Sequence, residues 1–191
     1  METGYFVGID PGATGALGIV GERGEFIAAH RWRPGRARSL YHILYGIREK
    51  VRRLYIEQVR IFPREEIGFI IQGQSLLVNL GIWQGFALAM GLTHVMIDPA
   101  TWQAAYGLTH WRTQGLHSPL TLARVIWPNA PLAHRADEGA ACALLLADLA
   151  RRDYQLGLDR AALQAAAAVK KKARLRQLRN LKKLEVPHNG S

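Results

Sequence analysis

Short apolar runs broken by glycine-rich turns open the chain. Residues 5–10, 15–20 and 25–31 form three such runs, separated by Pro11-Gly12 and Glu22-Arg23-Gly24, and predict an antiparallel meander. Leu40, Ile43, Leu44 and Ile47 then share one helical face behind Ser39, a residue type suited to capping. A fourth strand is expected through Leu54, Tyr55 and Ile56, closing on Glu57. A long apolar helix is expected from Ser75, as its cap, to about Met90, then a strand over 93–97. Asp98-Pro99 opens a short helix through Trp102 and Tyr106, with proline at a tolerated first-turn position. After a turn-rich stretch over 109–117, Ser118-Pro119 starts a helix carrying Leu122, Ala123 and Ile126 that stops near Pro128. A last helix runs from about His134 to Arg152. Strands first, then alternating helix and strand, predict an α/β fold, a mixed sheet flanked by helices.

Composition adds a division of the chain. Its 191 residues, 49% of them apolar, hold one domain with a full core plus an appendage. The expected division is a body over 1–158 and a tail over 159–191. The net charge of +10 is unevenly placed: from Arg160 onward nine Lys/Arg face one acid, Glu185, and Lys50 is the only lysine before Lys170. Such a tail suits a polyanion, since neutralised phosphates release condensed counterions; the plainer alternative is a solvated tail with no specific partner. Leu175, Leu178, Leu181 and Leu184 recur every third residue among the basic ones, so the tail is either an amphipathic helix or disordered until it meets a partner. No apolar run is long enough to span a membrane, and the N-terminus lacks a signal-peptide pattern. Cys142 is the only cysteine, which excludes an intrachain disulfide and a Cys-rich zinc site. A cytoplasmic protein is expected, in a host's cytoplasm if the chain is phage-encoded.

Three acids stand at the ends of apolar elements. Asp10 closes the first strand, Glu57 closes the fourth, and Asp137 lies in the first turn of the last helix, with His134 three residues earlier. If the first and fourth strands are neighbours, Asp10 and Glu57 share a crevice, and the helix start adds Asp137. Carboxylates that close repel unless a cation sits between them, and oxygen ligands suit Mg²⁺ or Mn²⁺. Two such ions roughly 4 Å apart activate water and stabilise the leaving oxygen of a phosphodiester. Taken singly, Asp137 and Glu138 also fit as helix N-terminal charges, and Glu57 as a strand-end salt bridge. Gly81, Gly85 and Ala89 form a small-residue ridge for close helix approach, in the core or across a dimer interface. Trp102 and Tyr106 are expected mainly in the core, whereas Trp111, in a polar loop beside Arg112, suits stacking on DNA bases.

Gly8-Ile9-Asp10-Pro11-Gly12, then Ile56-Glu57-Gln58, then His134-Arg135-Ala136-Asp137 resemble, in order and spacing, the RuvC-like Holliday-junction resolvases. Residues 80–85 (Leu-Gly-Ile-Trp-Gln-Gly) and 98–103 (Asp-Pro-Ala-Thr-Trp-Gln) resemble phage and organellar members of that group, and Trp127-Pro128 sits where they tend to have an aromatic-proline pair. The resemblance spans about 5–152. It implies an RNase H-like fold, a homodimer, and symmetric nicking of four-way DNA junctions dependent on Mg²⁺ (or Mn²⁺), with two ions per site. Catalytic and metal-binding roles would fall to Asp10, Glu57, Asp137 and His134. The last departs from the pattern, since many relatives carry an acid at that position; an imidazole there suits Mn²⁺ or proton transfer. DNA phosphates would be held by Arg112, Arg124 and the tail residues Lys170, Lys171, Lys172, Arg174, Arg176, Arg179, Lys182 and Lys183, with Trp111 against the bases. Two other readings compete: a junction-binding protein without cleavage, suggested by His134, and an actin-like or sugar-kinase-like ATPase, suggested by the glycine turn over 11–15.

Overall fold

Alternation decides how the first strands are used. Both faces of β1 (Tyr5–Asp10) and β2 (Ala16–Gly21) are buried, so they read as nearly continuous apolar runs, without the in-out pattern of a half-exposed sheet. The computed structural model describes residues 4–33, 35–59, 67–109 and 118–157, with backbone alone over 67–72. β3 (Phe26–Arg31) completes the antiparallel meander; β4 (Val51–Glu57) and β5 (His94–Ile97) add parallel pairings in the order β3-β2-β1-β4-β5. By backbone contacts the chain groups into two units, Met1–Arg152 and Asp153–Ser191, and the first carries everything that follows.

One sheet face presents Val7, Ile9, Leu17, Ile19, Leu54 and Ile56. On it pack Leu40 and Leu44 of α1 (Ala37–Ile47), Trp83 and Ala87 of α2 (Ile67–Ala89), and Trp32. The opposite face receives α5 (138–157), and here glycine is required. Gly8 and Gly18 are register partners, and a Cβ on Gly8 would lie 2.1 Å from the Ala143 carbonyl oxygen. One on Gly18 would lie 2.6 Å from Leu144 N. Bare backbone on both strands lets α5 lie directly against the sheet, burying Ala140, Ala143, Leu144 and Ala147. α3 (Pro99–Ala105) and α4 (Pro119–Ile126) start as expected, at Asp98, whose side chain accepts from Ala100 N at 2.8 Å, and at Ser118, which accepts from Thr121 N at 3.2 Å.

Two expected caps are corrected. α1 begins at Ala37, with Arg36 at the cap and no capping side chain, so Ser39 lies inside the helix. α2 begins at Ile67, which places Ser75 in its interior. Nothing between Ile67 and Ser75 stops a helix: there is no proline, and Gly68 and Gly73 each cost only about 1 kcal/mol.

His30 faces away from Arg31 along β3, and burial lowers its pKa from 6.5. The folded chain therefore favours neutral imidazole. Its contribution to stability is fully present above pH 6.5 and is lost as pH falls from there through the lowered folded value. His30→Gln is expected to flatten the fall in Tm between about pH 7.5 and about pH 5; an unchanged slope would assign the acid sensitivity to other groups.

Candidate active site

The row of side chains at one end of the sheet follows from register. Asp10 pairs with Ala16, and Ala16 with Arg31. On the other side Ile9 pairs with Ile56, so the next residues, Asp10 and Glu57, end adjacent parallel strands together. Paired positions share a face, and Gly8, two residues before Asp10, faces α5. Arg31, Ala16, Asp10 and Glu57 therefore form one row on the side of the sheet where α5 begins.

Each acid is held by a distinct local device. The Asp10 Oδ1 accepts from Gly12 N at 2.8 Å, and the turn closes with Gly15 N donating to the Gly12 carbonyl at 2.9 Å. A Cβ on Gly15 would lie 2.0 Å from the Asp10 carbonyl oxygen, so only glycine permits this turn. The Gly12 amide thus serves the strand-end carboxylate, the arrangement expected of a turn that fixes an acid. Glu57 Oε1 accepts from the indole N–H of Trp102 at 3.2 Å. Trp102 is 1% exposed, so its role is core packing and orientation of Glu57.

Asp137 is 2% exposed and closes a short 3-10 turn, Arg135–Asp137, ahead of α5. Its Oδ2 accepts from the His134 amide at 2.8 Å, and its Oδ1 is bound by the Arg31 guanidinium. Gly139 brings this helix start onto the Asp10 turn: a Cβ there would lie 2.0 Å from the Thr14 carbonyl oxygen. The His134 side chain is exposed while Asp137 is buried, so within this tight turn His134 contributes its backbone to Asp137.

The oxygens of Asp10, Glu57 and Asp137 are hard donors of the kind that would suit Mg²⁺ or Mn²⁺, and an imidazole such as that of His134 would suit Mn²⁺. Asp10 and Glu57 stand side by side and Asp137 enters from the helix. Among the described residues, no group of three or more His, Cys, Asp or Glu is already gathered as a metal cage. Asp137 is instead turned to Arg31.

Arg124, expected as a phosphate contact, donates through Nε to the Leu132 carbonyl at 2.6 Å and through Nη2 to the Ala133 carbonyl at 2.8 Å. It braces the segment entering His134. Trp127 is buried, its indole N–H donating to the Gly24 carbonyl at 2.8 Å. Trp111, Arg112 and the basic residues from Lys170 to Lys183 lie outside the described residues.

Sequence reasoning missed three supports. Arg31 and the indole N–H of Trp102 act on acids far along the chain. Asp148, 2% exposed, accepts from Tyr106 Oη at 2.8 Å and pairs with Arg151 at 2.8 Å and Arg152 at 2.7 Å. Burial first, and then the Asp148 charge, push the Tyr106 pKa up, so the phenol stays a donor that ties the end of α3 to α5. The Asp148, Arg151, Arg152 spacing was the available signal, since i, i+3 and i+4 share a helix face.

The chain matches no protein-family profile and no curated protein sequence. It is similar in structure to Thermus thermophilus RuvC. A RuvC complex with a Holliday junction substrate aligns with TM-score 0.50 at 18% identity, over 75% of this chain and 90% of that one. A second RuvC structure gives TM-score 0.48 at 17% identity, with the same coverage. The fold is therefore RNase H-like, a five-stranded mixed sheet flanked by helices.

Proposed function

We propose that this chain is a structure-selective DNA endonuclease that resolves four-way junctions by symmetric, metal-dependent nicking. The observation that carries the reading is the row at the strand ends, where Asp10 and Glu57 lie side by side beneath the helix start that delivers Asp137. The fold it shares with RuvC, captured there on a Holliday junction, supports the choice of substrate. Asp10, Glu57 and Asp137 would hold divalent cations, with His134 at the rim. When bound, these ions supply an activated water and charge stabilisation at the departing 3′ oxygen. The Gly12 amide keeps Asp10 at the strand end, and Trp102 keeps Glu57 aimed along the same face. The basic tail would grip phosphates, positioning DNA without reading its sequence.

Symmetric nicking requires two sites, and α2 supports a homodimer. No Asp, Glu, Lys or Arg occurs from Ile67 to Ala89. Leu77, Val78 and Leu88 are 51%, 60% and 71% exposed, and no described atom lies within 4 Å of a Cβ built on Gly81 or Gly85. The small-residue ridge thus faces outward from the described core, which supports a contact with a second copy. Gly85→Glu would place a charge in that contact and is expected to weaken dimerisation at least tenfold, by roughly 1.4 kcal/mol or more. Sedimentation should show monomers with an unchanged circular dichroism spectrum; an intact dimer would remove α2 from the interface.

The defining experiment incubates labelled four-way junction and matched linear duplex with the protein, with and without Mg²⁺ or Mn²⁺. Paired symmetric nicks in the junction alone are expected. A second reading, a junction binder without cleavage, draws on the neutralisation of Asp137 by Arg31 and the exposed His134. It forecasts metal-independent binding without nicks, with cleavage created by His134→Asp.

A further inference from the structure

We infer that Arg31 is a built-in counter-cation for Asp137 that competes with the divalent metal and so sets metal affinity; this rests on the nuclease reading above. Asp137 is 2% exposed, and a carboxylate so buried is costly unless paired. Both its oxygens are engaged, Oδ2 by the His134 amide and Oδ1 by Arg31. The amide bond leaves the carboxylate charge in place and fixes its orientation. Among the described residues Arg31 is the cation paired with it, and it comes from the row that holds Asp10 and Glu57.

The two partners differ in their freedom to move. The Arg31 side chain is 33% exposed at the end of β3, whereas Asp137 is 2% exposed. Asp137 is fixed by its turn and by the Gly139 contact with Thr14. The guanidinium can therefore leave for water while the carboxylate stays. A metal ion taking the Asp137 oxygen that Arg31 holds must displace Arg31, and removing Arg31 leaves a buried carboxylate that has to take up either a proton or another cation. Arg31 is thus a positioning residue: it holds Asp137 ready in the helix start and gives it up when the ion arrives.

The test is calorimetric titration of Mn²⁺ into the native chain, Arg31→Gln and Arg31→Lys, without DNA. Arg31→Gln is expected to bind at least roughly fivefold tighter, the scale of coupling between competing ligands. Arg31→Lys keeps a competing cation and is expected to stay within about twofold of native. Should Arg31→Gln be unfolded in chelator, recovery of its native circular dichroism on adding Mn²⁺ supports the inference, and persistent unfolding overturns it, making Arg31 purely structural. Equal or weaker Mn²⁺ binding by Arg31→Gln also overturns it and leaves the nuclease reading intact. Absence of binding in all three chains at millimolar Mn²⁺ overturns the metal reading itself and this inference with it.

Discussion

Asp10→Asn should lower junction cleavage by at least roughly 10³-fold, because on the proposed nuclease reading an ion held at this position would contribute several kcal/mol of transition-state stabilisation. The substitution is nearly isosteric. Its side-chain oxygen can still accept from the Gly12 amide, so the turn closed by Gly15 is expected to persist. Junction affinity should therefore remain close to native while nicking disappears. That separation distinguishes a lost ligand from a lost fold. Gel retardation and single-turnover cleavage on the same preparation measure both quantities. Undiminished cleavage would remove Asp10 from the chemistry and with it the strand-end row as the active site.

The largest effect on stability is expected at Gly8→Val. The new Cβ would meet the Ala143 carbonyl oxygen at 2.1 Å, Ala147 N at 2.5 Å and the Leu146 Cβ at 2.7 Å. Two of the three are backbone atoms of a buried helix, so no side-chain rotation relieves the clash. Overpacking costs typically about 1–3 kcal/mol, and a clash between backbones belongs at or above the top of that range. Against a typical domain stability of about 5–15 kcal/mol, this is a large fraction. A fall in Tm of roughly 10 °C or more, or failure to fold, is the expected outcome. A Tm within about 2 °C of native would mean that α5 does not rest on the Gly8–Gly18 pair. On the proposed reading function would be tied to the same packing, since the start of α5 brings Asp137 toward the row containing Asp10.

Much of this architecture was legible from local pattern. The strand at 5–10 and its glycine turn, the strand ending at Glu57, and the helices opened by Asp98-Pro99 and Ser118-Pro119 follow from signals a few residues long. The start of α2 was not, because an uncharged apolar stretch has neither periodic contrast nor a breaker to mark its end. Gly81 and Gly85 fit a core ridge and a dimer ridge equally well in the sequence, and the helix turns them away from the described core.

The site divides the same way. The sequence by itself determined which acids end apolar elements, Asp10, Glu57 and Asp137, because a carboxylate closing an apolar run is a local feature. The tertiary structure decided that β1 and β4 are neighbours, so that two of those acids stand side by side. It also decided what holds them: Trp102 reaches Glu57 across 45 positions, and Arg31 reaches Asp137 across 106. Such partners leave no trace in local periodicity, since they are created only when strand pairing and the descent of α5 onto two facing glycines bring distant segments to one end of the sheet.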